Sequence, residues 1–292
     1  MSDIYDILDS DKRSGQKYSK EEYKAYKQQE KAEIYEKINA QTEAIIDDPA
    51  ELAGYLELQA RLDRYSVSNA LLILSQYPQA RNLKEYNVWI ERGANINKGE
   101  KAISILEPYN YQREDGSKGT GYNVKKVFDI SQTTEYASPL RTSAQDAKKV
   151  LRALVEDAPV AVIASDEPGP GGEDAWLNPD KETISVRRGL DENCFFRSLA
   201  GAVAKLRLSI GRENMPAGQG QTAKDCIVYM LAKNFGFAGD GQMECPKLPE
   251  GMEAKTIREE LSRARLVYSQ MKSGICLSME REQKARQREK MR

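Results

Sequence analysis

Residues 195–208 read FFRSLAGAVAKLRL, and the face this segment buries decides what kind of second half the chain has. Phe195, Leu199, Val203 and Leu206 recur at spacings of three and four, one apolar stripe of an α-helix. Gly201 and Lys205 lie four apart, so they point the same way on the neighbouring face. A mid-helix glycine costs roughly 1 kcal/mol against alanine, and lysine is rarely buried without a partner. From the residues alone two readings stand. Either Gly201 admits a close neighbour and Lys205 lies at the rim with its stem covered, or both stand where other residues once did.

Around this helix the pattern alternates. Upstream lie a helix from Ser143 to Asp157, a strand VAVIAS, a loop DEPGPGGED, and the runs AWLNPD and ETISVRRG, which pair as a hairpin. Downstream, TAKDCIVYMLAKNFGF is helical and stops at Gly236 or Gly239. Residues from Glu253 onward return to a charged helical pattern with a basic end. The segment SQTTEYASPLRTS reads as a linker.

The first half has its own signals. Residues 1–18 have no period and read as disordered, and 19–47 form a highly charged helix whose first part faces solvent. Asp48-Pro49-Ala50-Glu51 is a helix start, with Asp as cap and Pro in the first turn. YSVSNALLILSQYP opens another helix near Ser66 or Ser68 that Pro78 ends, and a short helix from Leu83 to Arg92 stops at Gly93. Then the period becomes two: KAISILEPYNYQ and GYNVKKVFDI flank a polar turn and form a β-hairpin.

Bulk numbers close several routes. Of 292 residues 40% are hydrophobic and 30% charged, with a net charge of −1, so any grip on nucleic acid must come from local clustering. There is no histidine, which removes Ser-His-Asp and Cys-His nucleophiles and the two-histidine zinc helix. Cys194, Cys226, Cys245 and Cys276 form no CxxC pair and read as free thiols. No run of 18 apolar residues occurs, and MSDIYDILDSDKRSGQKYSK has no signal core. The expectation is a cytoplasmic protein without a membrane partner.

The stretch YSVSNALLILSQYPQARNLKEYNVWIERGANINKGEKAISILEP, with GTGYNVKKVFDISQT, resembles the N-terminal single-stranded-DNA-binding domain of ArdC-type antirestriction proteins, over residues 45–135. It looks closest to the LtrC-like proteins of Gram-positive conjugative elements. Asn69, Trp89, the Gly93 turn and Lys98-Gly99-Glu100-Lys101 carry the likeness. The second half resembles the zincin-like metallopeptidase domain of that family, whose first helix reads H-E-x-x-H. Aligned on FFRSLA, those positions are Gly201, Ala202 and Lys205 here, and the acidic third ligand falls nearest Asp225. An ammonium has no lone pair for zinc. The resemblance therefore implies a degenerate site, no metal, no cofactor and no catalysis, with Lys205 and Asp225 as a candidate ion pair.

Single-strand binding needs cations for phosphates and flat side chains for bases. Residues 60–130 hold 11 basic and eight acidic side chains. Arg64, Arg92, Lys98, Lys101 and Lys125 are candidate phosphate contacts, beside Arg61, Arg81 and Lys126. Asn69, Trp89 and Tyr122 join them as site candidates, and Tyr65, Tyr86, Tyr109 and Tyr111 offer further ring faces. Each has a plain alternative: a core Trp89, a structural Asn69, a solvated turn at 98–101.

The expected architecture is α+β with two domains and charged terminal helices. A charged N-terminal segment covers 1–47, an ArdC-like single-stranded-DNA-binding domain 48–135, a degenerate zincin-like domain 143–245, and a charged helix 253–292. The expected function is sequence-independent binding of single-stranded DNA by a mobile-element protein, with conjugation-machinery proteins as further partners. An interaction scaffold and an active metallopeptidase are the alternatives.

Overall fold

A computed structural model describes residues 19–113, 115–135, 146–178, 181–210, 220–239 and 243–290. The expected disorder of residues 1–18 and most of the expected linker lie outside these. The architecture is α+β: two three-stranded sheets, one in each half of the chain, set on a shared helical core.

The first half opens with α1 (Lys20–Asp47). Ser19 Oγ accepts the Glu22 amide at 3.2 Å and Glu22 accepts the Ser19 amide at 2.7 Å, a reciprocal cap. Residues 21–25 are exposed, whereas Ile34, Ile38, Thr42 and Ile45 bury one stripe. Helix α2 (Pro49–Arg61) starts where Asp48 Oδ1 accepts the Ala50 amide at 2.7 Å. Ser66 caps α3 (Val67–Gln76), in which Leu71, Leu72 and Ile73 are all 0% exposed. A helix apolar on every side belongs at the centre, and α3 contacts α1, α2 and the first sheet. Each such side chain contributes about 1.5–3 kcal/mol by leaving water.

The first sheet runs β1–β3–β2, with β1 (Leu83–Lys84), β2 (Ile103–Gln112) and β3 (Lys118–Asp129) all antiparallel. The two-residue β1 is too short to carry a period, and it occupies part of what reads in sequence as helix. The helix itself, α4 (Tyr86–Glu91), is confined to six residues before the left-handed Gly93 at φ 83°. Asp129 ties this corner together, accepting the amides of Arg81 at 2.6 Å and Asn82 at 2.7 Å.

In the second half, α5 (Ala147–Asp157) leads to β4 (Ala161–Ser165), β5 (Ala175–Asn178) and β6 (Thr183–Arg187). The expected β5–β6 hairpin is present, and β4 pairs parallel to β6 on its other side. Helix α6 (Glu192–Ser209) is capped by Asp191, which accepts the Cys194 amide at 2.9 Å. Helix α7 (Gln221–Phe235) ends at Gly236, φ 84°. The buried stripe of α6 is Phe196, Leu199, Ala200 and Val203; Phe195 and Leu206 are only half-buried. Phe196 takes the core position because its ring stacks on Phe237 with centroids 4.1 Å apart.

The last helix, α8 (Ala254–Lys290), touches both halves, packing on α1, α2 and α3 as well as α5, α6 and α7. Its Tyr268 hydroxyl donates to Ala60 O at 2.9 Å, and Lys272 reaches Asp63 at 3.2 Å. Gly274 makes room for Asp157, since a Cβ there would lie 1.7 Å from Asp157 Oδ1. Arg207 holds the same carboxylate at 2.8 Å. Burial pushes the Asp157 carboxyl above its usual range, against the pull of Arg207. The described buried apolar side chains, Trp89 and Ala94 excepted, form one cluster running from Ile34 to Ile275.

Candidate nucleic-acid interface

The short β1 places a cation that the sequence pattern did not single out. Lys84 lies within electrostatic reach of Arg92 and Arg64. Burial lowers its ammonium below the usual lysine range, and the charges of Arg92 and Arg64 push it the same way. Arg64 is fixed by a 3.1 Å bond to Leu83 O and lies 5.2 Å from the Tyr65 ring centroid. Lys84 Nζ lies 5.9 Å from the Trp89 ring centroid. Among the described residues no carboxylate forms an ion pair with Arg64, Lys84 or Arg92. Three like charges held together cost energy unless an anion answers them. Lys98 and Lys101 are exposed on the loop that follows. That loop is pinned by Gln132, whose amide donates to Glu100 Oε2 and to Lys101 O at 2.9 Å each.

Other candidates are used elsewhere. Trp89 is 1% exposed and donates its indole N–H to Phe128 O at 2.9 Å, so it is a core residue with no face for a base. Asn69 is 8% exposed, and its amide donates to Leu106 O at 2.9 Å and accepts Leu106 N–H at 2.7 Å. It staples α3 to β2. Lys125 is shared by Glu85, at 2.6 Å, and Glu107. Burial works against its ammonium, but the bonds to those carboxylates outweigh burial and raise it. It has no charge to spare for phosphate. Lys126 pairs with Glu30 of α1 at 3.0 Å, and Arg61 clamps Pro78 O at 2.8 Å and Ala80 O at 3.3 Å. Tyr122 is 41% exposed on the hairpin. The signal for Lys84 is its closeness to Arg64, twenty residues back with α3 between them, which no local period records.

In the second half, Phe196 meets Phe235 with centroids 6.3 Å apart, and Gly201 faces Val228. Rising numbers on α6 thus meet falling numbers on α7, so the helices are antiparallel and Lys205 comes level with Lys224 and Asp225. The expected Lys205–Asp225 pair does not form. Lys205 instead lies 3.9 Å from Glu173 of the β4–β5 connection, with 72% of its side chain exposed. Asp225 accepts from Gln221 at 2.8 Å and pairs with Lys224 at 3.4 Å. A neighbour on its own helix satisfies Asp225 at lower entropic cost than an exposed lysine across the pair. Ala202 is 9% exposed. A Cβ on Gly201 would meet Val228 at 3.7 Å, ordinary contact, so close packing does not demand this glycine.

Glycine, alanine and an ammonium at 201, 202 and 205 do not fit a zinc ion, because none offers it a lone pair. Among the described residues no three His, Cys, Asp or Glu side chains gather to hold one. The four cysteines are unpaired. No described helix is long and apolar enough to cross a membrane.

Comparison with known proteins bears on the first half. Residues 24–149 match the N-terminal domain of anti-restriction factor ArdC. An uncharacterized protein of Bacillus anthracis, pXO2-81, is 29% identical over 154 residues, covering 42% of this chain and 26% of that protein. The chain thus spans about a quarter of that relative's length. The metal-free crystal structure of antirestriction ArdC protein from the R388 plasmid is 16% identical, with a TM-score of 0.46 over 73% of this chain and 85% of that one. Its Mn(II)-bound form gives 15% and 0.45, over 72% and 85%. What the comparisons show is thus a likeness of residues 24–149 to the N-terminal domain of anti-restriction factor ArdC.

Proposed function

We propose that the chain binds single-stranded DNA without regard to sequence, as an LtrC-like protein of a conjugative element. The observation that carries this is the Arg64–Lys84–Arg92 cluster, whose charges crowd one another while no described acid pairs with them. A phosphate backbone supplies the missing anions, and phosphates carry no base information. Lys98 and Lys101, exposed on the adjoining loop, extend the path. The antirestriction setting comes from the names of the proteins it resembles.

The second half, in this reading, keeps a peptidase-like scaffold without its chemistry. Helix α6 persists because Phe196, Leu199, Ala200 and Val203 still pack the core. Its exposed large side chains are aliphatic, including Ile163, Leu177 and Ile210, and this favours a second role in holding a protein of the transfer machinery.

A fluorescent single-stranded oligonucleotide titrated at two salt concentrations, beside its duplex, tests the DNA reading. Affinity is expected to fall steeply with salt through counterion release. Salt-insensitive binding, or a preference for duplex, would overturn it. Metal analysis of the purified protein tests the second half, where stoichiometric zinc would restore a peptidase.

A further inference from the structure

The β2–β3 hairpin leaves the core at its outer end, and residues 107–112 are all exposed. Tyr109 and Tyr111 sit at alternate positions of β2, hence on one face. The register sets Gly121 opposite Tyr109 and Gly119 opposite Tyr111. A Cβ at Gly121 would fall 2.4 Å from Tyr109 Cζ, and one at Gly119 would fall 2.5 Å from Tyr111 Cζ. Each ring therefore lies flat across the facing strand, in room that any side chain would fill. The centroids are 6.1 Å apart with the planes at 45°, and the residues are 44% and 43% exposed. Glu107, next along that face, has its charge covered by Lys125.

Strand glycines weaken a hairpin, and this outer end has no core to offset them. A ring over a cross-strand glycine recovers part of that loss. Two such pairs in succession, with their outer faces bare, do more: they present two flat π-surfaces in a row. We propose that Tyr109 and Tyr111 are a two-base stacking platform for unpaired nucleobases. The platform rests on the single-stranded-DNA reading and adds the half of recognition that the cations do not supply. Bases are the fitting occupant because every base has a π-face. The same half of the chain also carries Arg64, Lys84 and Arg92, at the other end of β3, where Lys84 pairs with Phe128, to hold phosphates farther along the same strand of DNA.

The test compares the full chain with Y109A/Y111A and Y109F/Y111F, on a thymidine oligonucleotide and on an abasic strand of equal length. The alanine pair is expected to bind the thymidine strand roughly a hundredfold more weakly, about tenfold per ring. On the abasic strand the loss should be under about twofold, because the ring faces have nothing to stack there. The phenylalanine pair should bind as the unmodified chain does, since stacking needs the ring and not the hydroxyl. Unchanged thymidine binding by the alanine pair overturns the platform. So does equal loss on both strands, which marks a damaged hairpin. If the unmodified chain binds both strands equally, the platform falls and the phosphate grip stands; if it binds neither, both fall.

Discussion

The two halves of the molecule leave different side chains in water. Among the described residues, the large apolar ones exposed in the first half are Tyr23, Tyr35, Tyr86, Tyr109, Tyr111 and Tyr122, with Ile90. Those described in the second half are Val155, Ile163, Leu177, Ile210, Leu266 and Leu277, with no aromatic among them. Tyrosine joins a stacking face to a polar handle, whereas exposed aliphatics offer only area. One group of first-half cations stands apart. Lys84 and its two arginines have no described acid partner, while Lys205 has Glu173, Arg187 has Asp174 and Arg207 has Asp157. The proposed surface for a polyanion therefore draws on the first half, while the second half's named cations are already answered by acids.

The largest expected effect breaks or upholds that division directly. Replacing Arg64, Lys84 and Arg92 together by alanine should weaken oligonucleotide binding roughly 10³-fold at low salt, at about 1.5 kcal/mol for each charge-assisted contact. The salt slope should flatten by about 0.7 per cation removed. K205E, a charge reversal in the other half, should leave the same anisotropy titration within about twofold, because Lys205 lies outside the cluster and is mostly exposed. An equal loss from both would erase the contrast.

The next prediction concerns the joint between the halves. G274A drives a methyl group into the Asp157 carboxylate that Arg207 holds, and should lower stability by about 2–3 kcal/mol in a urea titration. Oligonucleotide affinity measured well below the midpoint should not change. N69A should cost about 2 kcal/mol by leaving the Leu106 N–H and C=O buried without partners. It separates a staple from a ligand contact, since a loss of affinity without a loss of stability would return Asn69 to the binding surface. G201A is the smallest effect and has the opposite sign. The Cβ meets Val228 at ordinary distance, so the helix should gain about 1 kcal/mol. Destabilisation there would show that Gly201 still serves a close approach.

Much of the fold was readable in local pattern. Asp48-Pro49 and the serine before Val67 begin helices where their hydrogen-bonding chemistry says they should. Gly93 and Gly236 end them in left-handed conformations. The site was less readable. Trp89 is an aromatic in a basic stretch, and nothing nearby in sequence says that Phe128 O will take its N–H. Lys125 and Lys126 look alike in the chain, yet carboxylates 40 and 96 positions away neutralise them. The tyrosine platform had a signal, Y-x-Y opposite G-x-G across a hairpin turn, which acquires meaning only once the register is known.

By itself the amino-acid order determined where most helices and strands start and stop, β1 excepted, and that a chain without histidine, with Gly201, Ala202 and Lys205 on one helix, offers no zinc ligands there. These are properties of near neighbours, governed by backbone caps, side-chain period and the lone pairs a residue type possesses. Only the tertiary structure decided which cations find an acid partner, which rings reach water, and that α8 binds the halves into one core. Those outcomes depend on the carboxylate, carbonyl or glycine that folding brings alongside, and electrostatic and packing energies follow distance in space, not position along the chain.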